Sequence, residues 1–192
     1  MDKKKLIGTI IGVTMFAALI AGATFAWLTF SATITNGSYN TGTKNFVINY
    51  DGGTALTEMP MLTVSGASAV ASSGAKVISL SAGLASGSTP GNLTITLNTT
   101  ATGADSNGHV SVLPAMRYSV AIGTGTPTAP KTITSNTQAL VLSGTSTTQK
   151  ISSTTATTIK VYFWLEASDV TTTMLGASYS GYISASATQT ES

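Results

Sequence analysis

Ile159-Lys160-Val161-Tyr162-Phe163-Trp164-Leu165-Glu166 decides the fold class of this chain. Ile159, Val161, Phe163 and Leu165 occupy alternate positions, with Lys160, Tyr162, Trp164 and Glu166 between them. A period of two marks a strand, because successive side chains point to opposite faces of a sheet. β-Branched and aromatic residues also favour an extended, pleated backbone. The face of Ile159, Val161, Phe163 and Leu165 belongs to a core.

The same alternation recurs outward from this stretch, at residues 46–50, 76–80, 93–98, 116–122, 139–142 and 179–187. Leu93, Ile95 and Leu97 alternate with Thr94, Thr96 and Asn98, the pattern of a sheet with one wet face. Turn signals separate the runs at Asp51-Gly52-Gly53, Pro90-Gly91 and Asn107-Gly108. Segments 65–74, 81–89 and 123–130 are rich in Gly, Ser, Ala and Thr and read as loops. No helical spacing persists beyond about two turns after residue 26, so the expected fold is all-β, an antiparallel, jelly-roll-like sandwich preceded by an N-terminal hydrophobic signal helix.

Composition narrows the function classes. Of 192 residues, 35 are Thr and 24 Ser, whereas only 8% are charged. Polarity is carried by hydroxyls. With 42% hydrophobic residues and a net charge of +2, the chain lacks the signature of intrinsic disorder. Nucleic acid is not an expected partner, since the only basic cluster is Lys3, Lys4 and Lys5 at the N-terminus. Cysteine is absent, which removes disulfides, thiolate metal sites and cysteine nucleophiles.

Those lysines open a leader. Residues 6–28 carry no charge and contain the small-residue run Ala21-Gly22-Ala23-Thr24-Phe25-Ala26. A basic region, an apolar run and small residues before a cut constitute an export signal, with cleavage expected between Ala26 and Trp27. The membrane is then met only transiently, and the signal peptidase is a partner only during export. Retention as a membrane-spanning helix is the competing reading, because 23 uncharged residues exceed the ~20 needed to cross hydrocarbon. Cleavage removes Asp2 and three lysines, leaving six basic and six acidic side chains, a formally neutral chain. The expected division is residues 1–26 as signal peptide, 27–35 as a candidate donor strand and 36–192 as the β-sandwich domain.

The segment freed by cleavage alternates again, with Leu28, Phe30, Ala32 and Ile34 in one apolar row. Such a strand pairs within its own domain or completes the sheet of another copy, as in donor-strand complementation. Burying three sizeable apolar side chains contributes roughly 5–9 kcal/mol before entropy costs. A head-to-tail contact that does not close into a ring propagates as a filament.

The block KKKLIGTIIGVTMFAALIAGATFAWLTF, residues 3–30, resembles the leader and first mature residues of the TasA and camelysin-like family. Its members are fibre proteins of the biofilm matrix, exported through a dedicated SipW-type signal peptidase. The shared pattern is a lysine cluster, a Gly-rich apolar run and Gly-x-Thr-aromatic-Ala before an aromatic residue, here Gly22-Ala23-Thr24-Phe25-Ala26-Trp27. Residues 161–169, VYFWLEASD, are similar to a late core strand of distant relatives. The resemblance implies a secreted, jelly-roll-like subunit whose N-terminal strand inserts into the next copy, giving an extracellular filament. Two alternatives stay open: a surface adhesin or coat protein anchored by residues 6–28, and a type IV-like pilin processed near Gly8.

Catalytic constellations are poorly supplied. The single histidine, His109, follows a turn signal, and any Ser-His-acid triad would depend on it. No Gly-x-Ser-x-Gly elbow occurs. Asp51-Gly52-Gly53 and Asp105-Ser106-Asn107 are conceivable cation loops but read first as turns. A lysine, an asparagine and a nearby carboxyl can form an isopeptide bond, which Lys160 beside Glu166 makes conceivable, and Glu166 or Asp169 is positioned to pair with Lys160 or Arg117. Three Asn-x-Ser/Thr triplets begin at Asn36, Asn92 and Asn98. The expectation is a non-enzymatic structural protein without cofactor or metal, whose partner is itself.

Overall fold

A computed structural model of the chain describes residues 48–51, 61–62, 66–72 and 74–189. The strands are β1 (Ile48–Asp51), β2 (Met61–Leu62), β3 (Lys76–Leu84), β4 (Gly91–Ala101), β5 (Met116–Ile122), β6 (Lys131–Thr132), β7 (Thr137–Ala139), β8 (Thr148–Ile151), β9 (Thr157–Glu166) and β10 (Ser180–Gln189). One short helix, α1 (Ala67–Ser72), precedes β3. The protein is an all-β antiparallel sandwich.

β9, the strand read first from the sequence, lies at the centre of the larger sheet, whose order is β1-β3-β9-β5-β6. Ile78 of β3 and Val120 of β5 both stand opposite Val161. Leu165 is paired with Met116 on the β5 side, so β2, which runs parallel to β9 at Met61 and Leu62, extends the β3 side. The smaller sheet is built on β4. β10 pairs with one edge of it over ten residues, while β8 and β7 lie end to end along the other.

The alternating rows meet between the sheets. Ile78, Leu80 and Ala82 of β3, Tyr118 and Val120 of β5, and Ile159, Val161 and Phe163 of β9 face Leu93, Ile95 and Leu97 of β4 and Ile183 of β10 in one core. Each fully buried Leu, Ile or Phe contributes about 1.5–3 kcal/mol of hydrophobic free energy, enough in aggregate to offset chain entropy. Leu140 and Leu142, expected within a strand, are buried but follow β7. The Leu140 N–H donates to Ile95 C=O at 2.8 Å, keeping this stretch on the sheet.

Two expectations are corrected. Segment 65–74, expected to be a loop, contains α1, and the segment from Ser81 is strand as far as Leu84. Ala67 and Val70 are the buried residues of α1. The helix covers the outer face of β9, where Val70, Ala75, Ala121, Tyr162 and Trp164 form a second cluster. The sequence pattern assigns only one face of the β9 stretch to a core, yet Trp164 is wholly buried on the other. Alanine, with the highest helix propensity, lets a chain of small residues form one turn of helix once Val70 has an aromatic surface to cover. Segment 123–130 is irregular as expected, although Thr128 is tied to β5, its N–H donating to Val120 C=O at 2.8 Å and its Oγ1 accepting from Val120 N–H at 3.0 Å.

Candidate functional site

The expected donor row, Leu28, Phe30, Ala32 and Ile34, and the expected cleavage junction, Ala26 and Trp27, lie outside the described residues. Ile159, Val161, Phe163 and Leu165 are core residues, as expected, and belong to a strand flanked on both sides by β3 and β5. They are interior packing rather than an open groove.

β10 ends its sheet among the described residues. Its start is held by Tyr179, whose hydroxyl bonds Thr99 Oγ1 at 2.8 Å. Burial raises the Tyr179 phenol above its ordinary pKa, and the bond to Thr99 pulls in the opposite direction. Beside it the register shifts between Ser180 and Gly181, a β-bulge. A side chain at Gly181 would meet Asn98 C=O at 2.8 Å and the Tyr179 hydroxyl at 3.0 Å, so only glycine fits without displacement. Beyond this lock the strand presents two rows. Ile183 is buried, with Ala185 and Ala187 packed partly buried against the core, while Tyr182, Ser184, Ser186 and Thr188 occupy the opposite face.

That opposite face is nearly free of charge. Across β8, β4 and β10 stand Thr148, Thr94 and Ser186, then Lys150, Asn92 and Thr188. Asn98 donates its side-chain amide to Ser184 Oγ at 2.9 Å, and Thr100 bonds Ser180 at 2.7 Å. The high Thr and Ser content thus covers the wet side of the smaller sheet. Asn92 and Asn98, the first residues of two triplets, lie inside β4, and the triplet at Asn36 is outside the described residues.

The remaining candidates resolve individually. His109 Nδ1 lies 2.7 Å from Asp105 Oδ2 in an exposed loop. The bond to His109 lowers the Asp105 pKa, opposed by desolvation and reinforced by the N–H groups of Asn107 and His109. Asp105 Oδ1 accepts those N–H groups at 2.9 and 3.2 Å, so the carboxylate closes its own turn. Among the described residues no three His, Cys, Asp or Glu side chains converge as metal ligands.

Arg117 pairs with Asp169, one of the two carboxylates expected near it, and also donates to Pro114 C=O at 2.7 Å. Glu166 instead accepts a bond from Trp164 Nε1 at 3.4 Å. Lys160 and Glu166 sit six positions apart on one extended strand, about 20 Å at ~3.3 Å per residue, too far for Glu166 to be the carboxyl beside Lys160 that an isopeptide bond to an asparagine needs.

Comparisons with protein-family models, curated proteins and solved structures return no match. The described residues include no helix long and apolar enough to cross a membrane. Sequence reasoning missed the Tyr179–Thr99–Gly181 lock. A tyrosine two residues before a glycine at a strand start is its only trace in the sequence.

Proposed function

We propose that this protein is a secreted structural subunit which polymerises into an extracellular filament by donor-strand complementation through residues 27–35. One observation carries the reading. Strands between Lys76 and Gln189 assemble a continuous two-sheet core, and an additional apolar row, Leu28, Phe30, Ala32 and Ile34, stands directly after an export cleavage pattern. A row with the period of a strand, tethered to a domain whose core is built elsewhere, has the chemistry to join one copy to the next. The leader's likeness to the TasA and camelysin-like family favours the same assembly, as does the neutrality of the chain after Ala26, which leaves no net repulsion between copies.

The test removes residues 27–35 from the mature protein. Monomers of unchanged circular dichroism without fibres are expected by electron microscopy. Fibres of normal length from the truncated chain would overturn the reading.

A further inference from the structure

We infer that Asn107-Gly108 is a site of spontaneous covalent modification, where the Asn107 side chain cyclises onto the Gly108 backbone nitrogen, and that the isoaspartyl product opens the turn closed by Asp105. The inference is independent of the filament reading.

The loop that carries this pair is closed at its base, where Val112 N–H donates to Thr102 C=O at 2.8 Å. Asn107 and Gly108 are both exposed within it. Asp105 Oδ1 accepts the N–H groups of Asn107 and His109 at 2.9 and 3.2 Å. The N–H between them, that of Gly108, donates no hydrogen bond among the described residues. Gly108 turns at φ +94°, and a side chain there would meet nothing within 4 Å. Its nitrogen is therefore uncommitted, open to water and unshielded by a side chain. The Asn107 amide is held loosely, its Nδ2 donating to Asp105 Oδ2 at 3.4 Å, long for such a bond.

The reacting atoms belong to adjacent residues, so cyclisation is intramolecular and has the advantage of a fixed encounter. Gly108 N bonds to Asn107 Cγ as the Cγ–Nδ2 bond breaks. The proton lost from Gly108 N passes through solvent to Nδ2, which leaves as ammonia. Water then opens the five-membered imide. Opening at Cγ gives aspartate, whereas opening at the main-chain carbonyl gives isoaspartate, with the chain running through Cβ and Cγ. No oxidant or reductant takes part. Asn92 and Asn98 are placed differently, inside β4 with strands on both sides. Thr99 N–H, the nucleophile Asn98 would need, donates to Asn136 C=O at 2.6 Å.

Isoaspartate adds one carbon to the main chain between the two N–H groups that share Asp105 Oδ1. The longer path cannot keep both bonds at their present lengths. Val110 follows directly, and its N–H bond to Thr173 C=O, 3.1 Å, shifts with the chain. The Thr102–Val112 closure lies beyond the altered stretch, so the opening stays within the loop.

The test ages the purified protein at mildly alkaline pH, digests it in acid and maps it by mass spectrometry with electron-transfer fragmentation. Residue 107 is expected to exchange amide for acid, as isoaspartate and aspartate, at least about tenfold faster than Asn92 or Asn98. Hydroxylamine, which attacks the imide, should split the chain between residues 107 and 108. Asn107→Gln, which would have to close a six-membered ring, should persist. Asn107 as long-lived as Asn98 would overturn the site.

Hydrogen exchange reads the consequence. The isoaspartyl fraction, separated by ion exchange, should lose amide protection at His109 and Val110 while Val161 in the core keeps its own. Fresh Asn107→Asp, which has the charge without the additional carbon, should retain protection at all three. Unchanged protection at His109 and Val110 in the isoaspartyl fraction overturns the opening, and equal loss in Asn107→Asp overturns chain lengthening as its cause.

Discussion

Gly181 and Asp105 show how single positions set geometry here. At Gly181 a methyl group would stand 2.8 Å from Asn98 C=O, a backbone atom with little freedom to retreat. Gly181→Ala is expected to destabilise the fold by about 1–3 kcal/mol, the usual range for overpacking, and to lower the thermal midpoint by several degrees. An unchanged midpoint would mean that the bulge relaxes without strain. Asp105 provides a pH test. Its carboxyl is held below its reference value of 3.8, first by the side-chain bond to His109. A depressed carboxyl stabilises the fold above its unfolded pKa, and the contribution is lost as pH falls through the lower folded value. His109→Ala should therefore move the Asp105 midpoint upward in a carbon-detected NMR titration. The same midpoint in both proteins would exclude His109 as the cause.

At the scale of elements, α1 and β9 separate what periodicity reveals from what it hides. Val70 is completely buried and joins α1 to Tyr162 and Trp164. Val70→Ala removes two buried methyl carbons at ~0.8 kcal/mol each, a loss of about 1.5–2 kcal/mol before any cavity term. In a Trp27→Phe background, Trp164 is the sole tryptophan, and its emission should shift to longer wavelength in Val70→Ala as water reaches the ring. Emission that stays put would show that α1 does not shield it. The sandwich was legible because Leu93, Ile95 and Leu97, like Ile159, Val161 and Phe163, repeat with period two over a whole strand. The burial of Trp164 was not, since an alternating strand reads the same whether its second face meets water or a short helix. Nor was the role of Tyr118, whose hydroxyl accepts Val141 N–H at 3.0 Å across the sandwich, because tertiary hydrogen bonds leave no local pattern. The candidate donor row was legible as a pattern and lies outside the described residues.

For the molecule as a whole, charge and burial make opposite predictions about assembly, and salt distinguishes them. From Trp27 onward the sequence has six basic and six acidic side chains, and the outer faces of β4 and β10 carry no charged residue among their described side chains. The proposed joint through Leu28, Phe30 and Ile34 would be short-ranged, and its strength would follow apolar area rather than ionic contacts. Raising monovalent salt from about 0.01 M to about 1 M shortens the screening length from about 30 Å to about 3 Å and suppresses interactions between exposed charges. Filament elongation, followed by light scattering, is accordingly expected to change by no more than about twofold over that range, since net neutrality removes the long-range steering through which salt alters association. Phe30→Ala, which leaves charge untouched, should slow or abolish elongation at every salt concentration. A steep fall of wild-type elongation with salt would instead place the subunit joint on ion pairs, and an assembly built on the apolar row would be untenable.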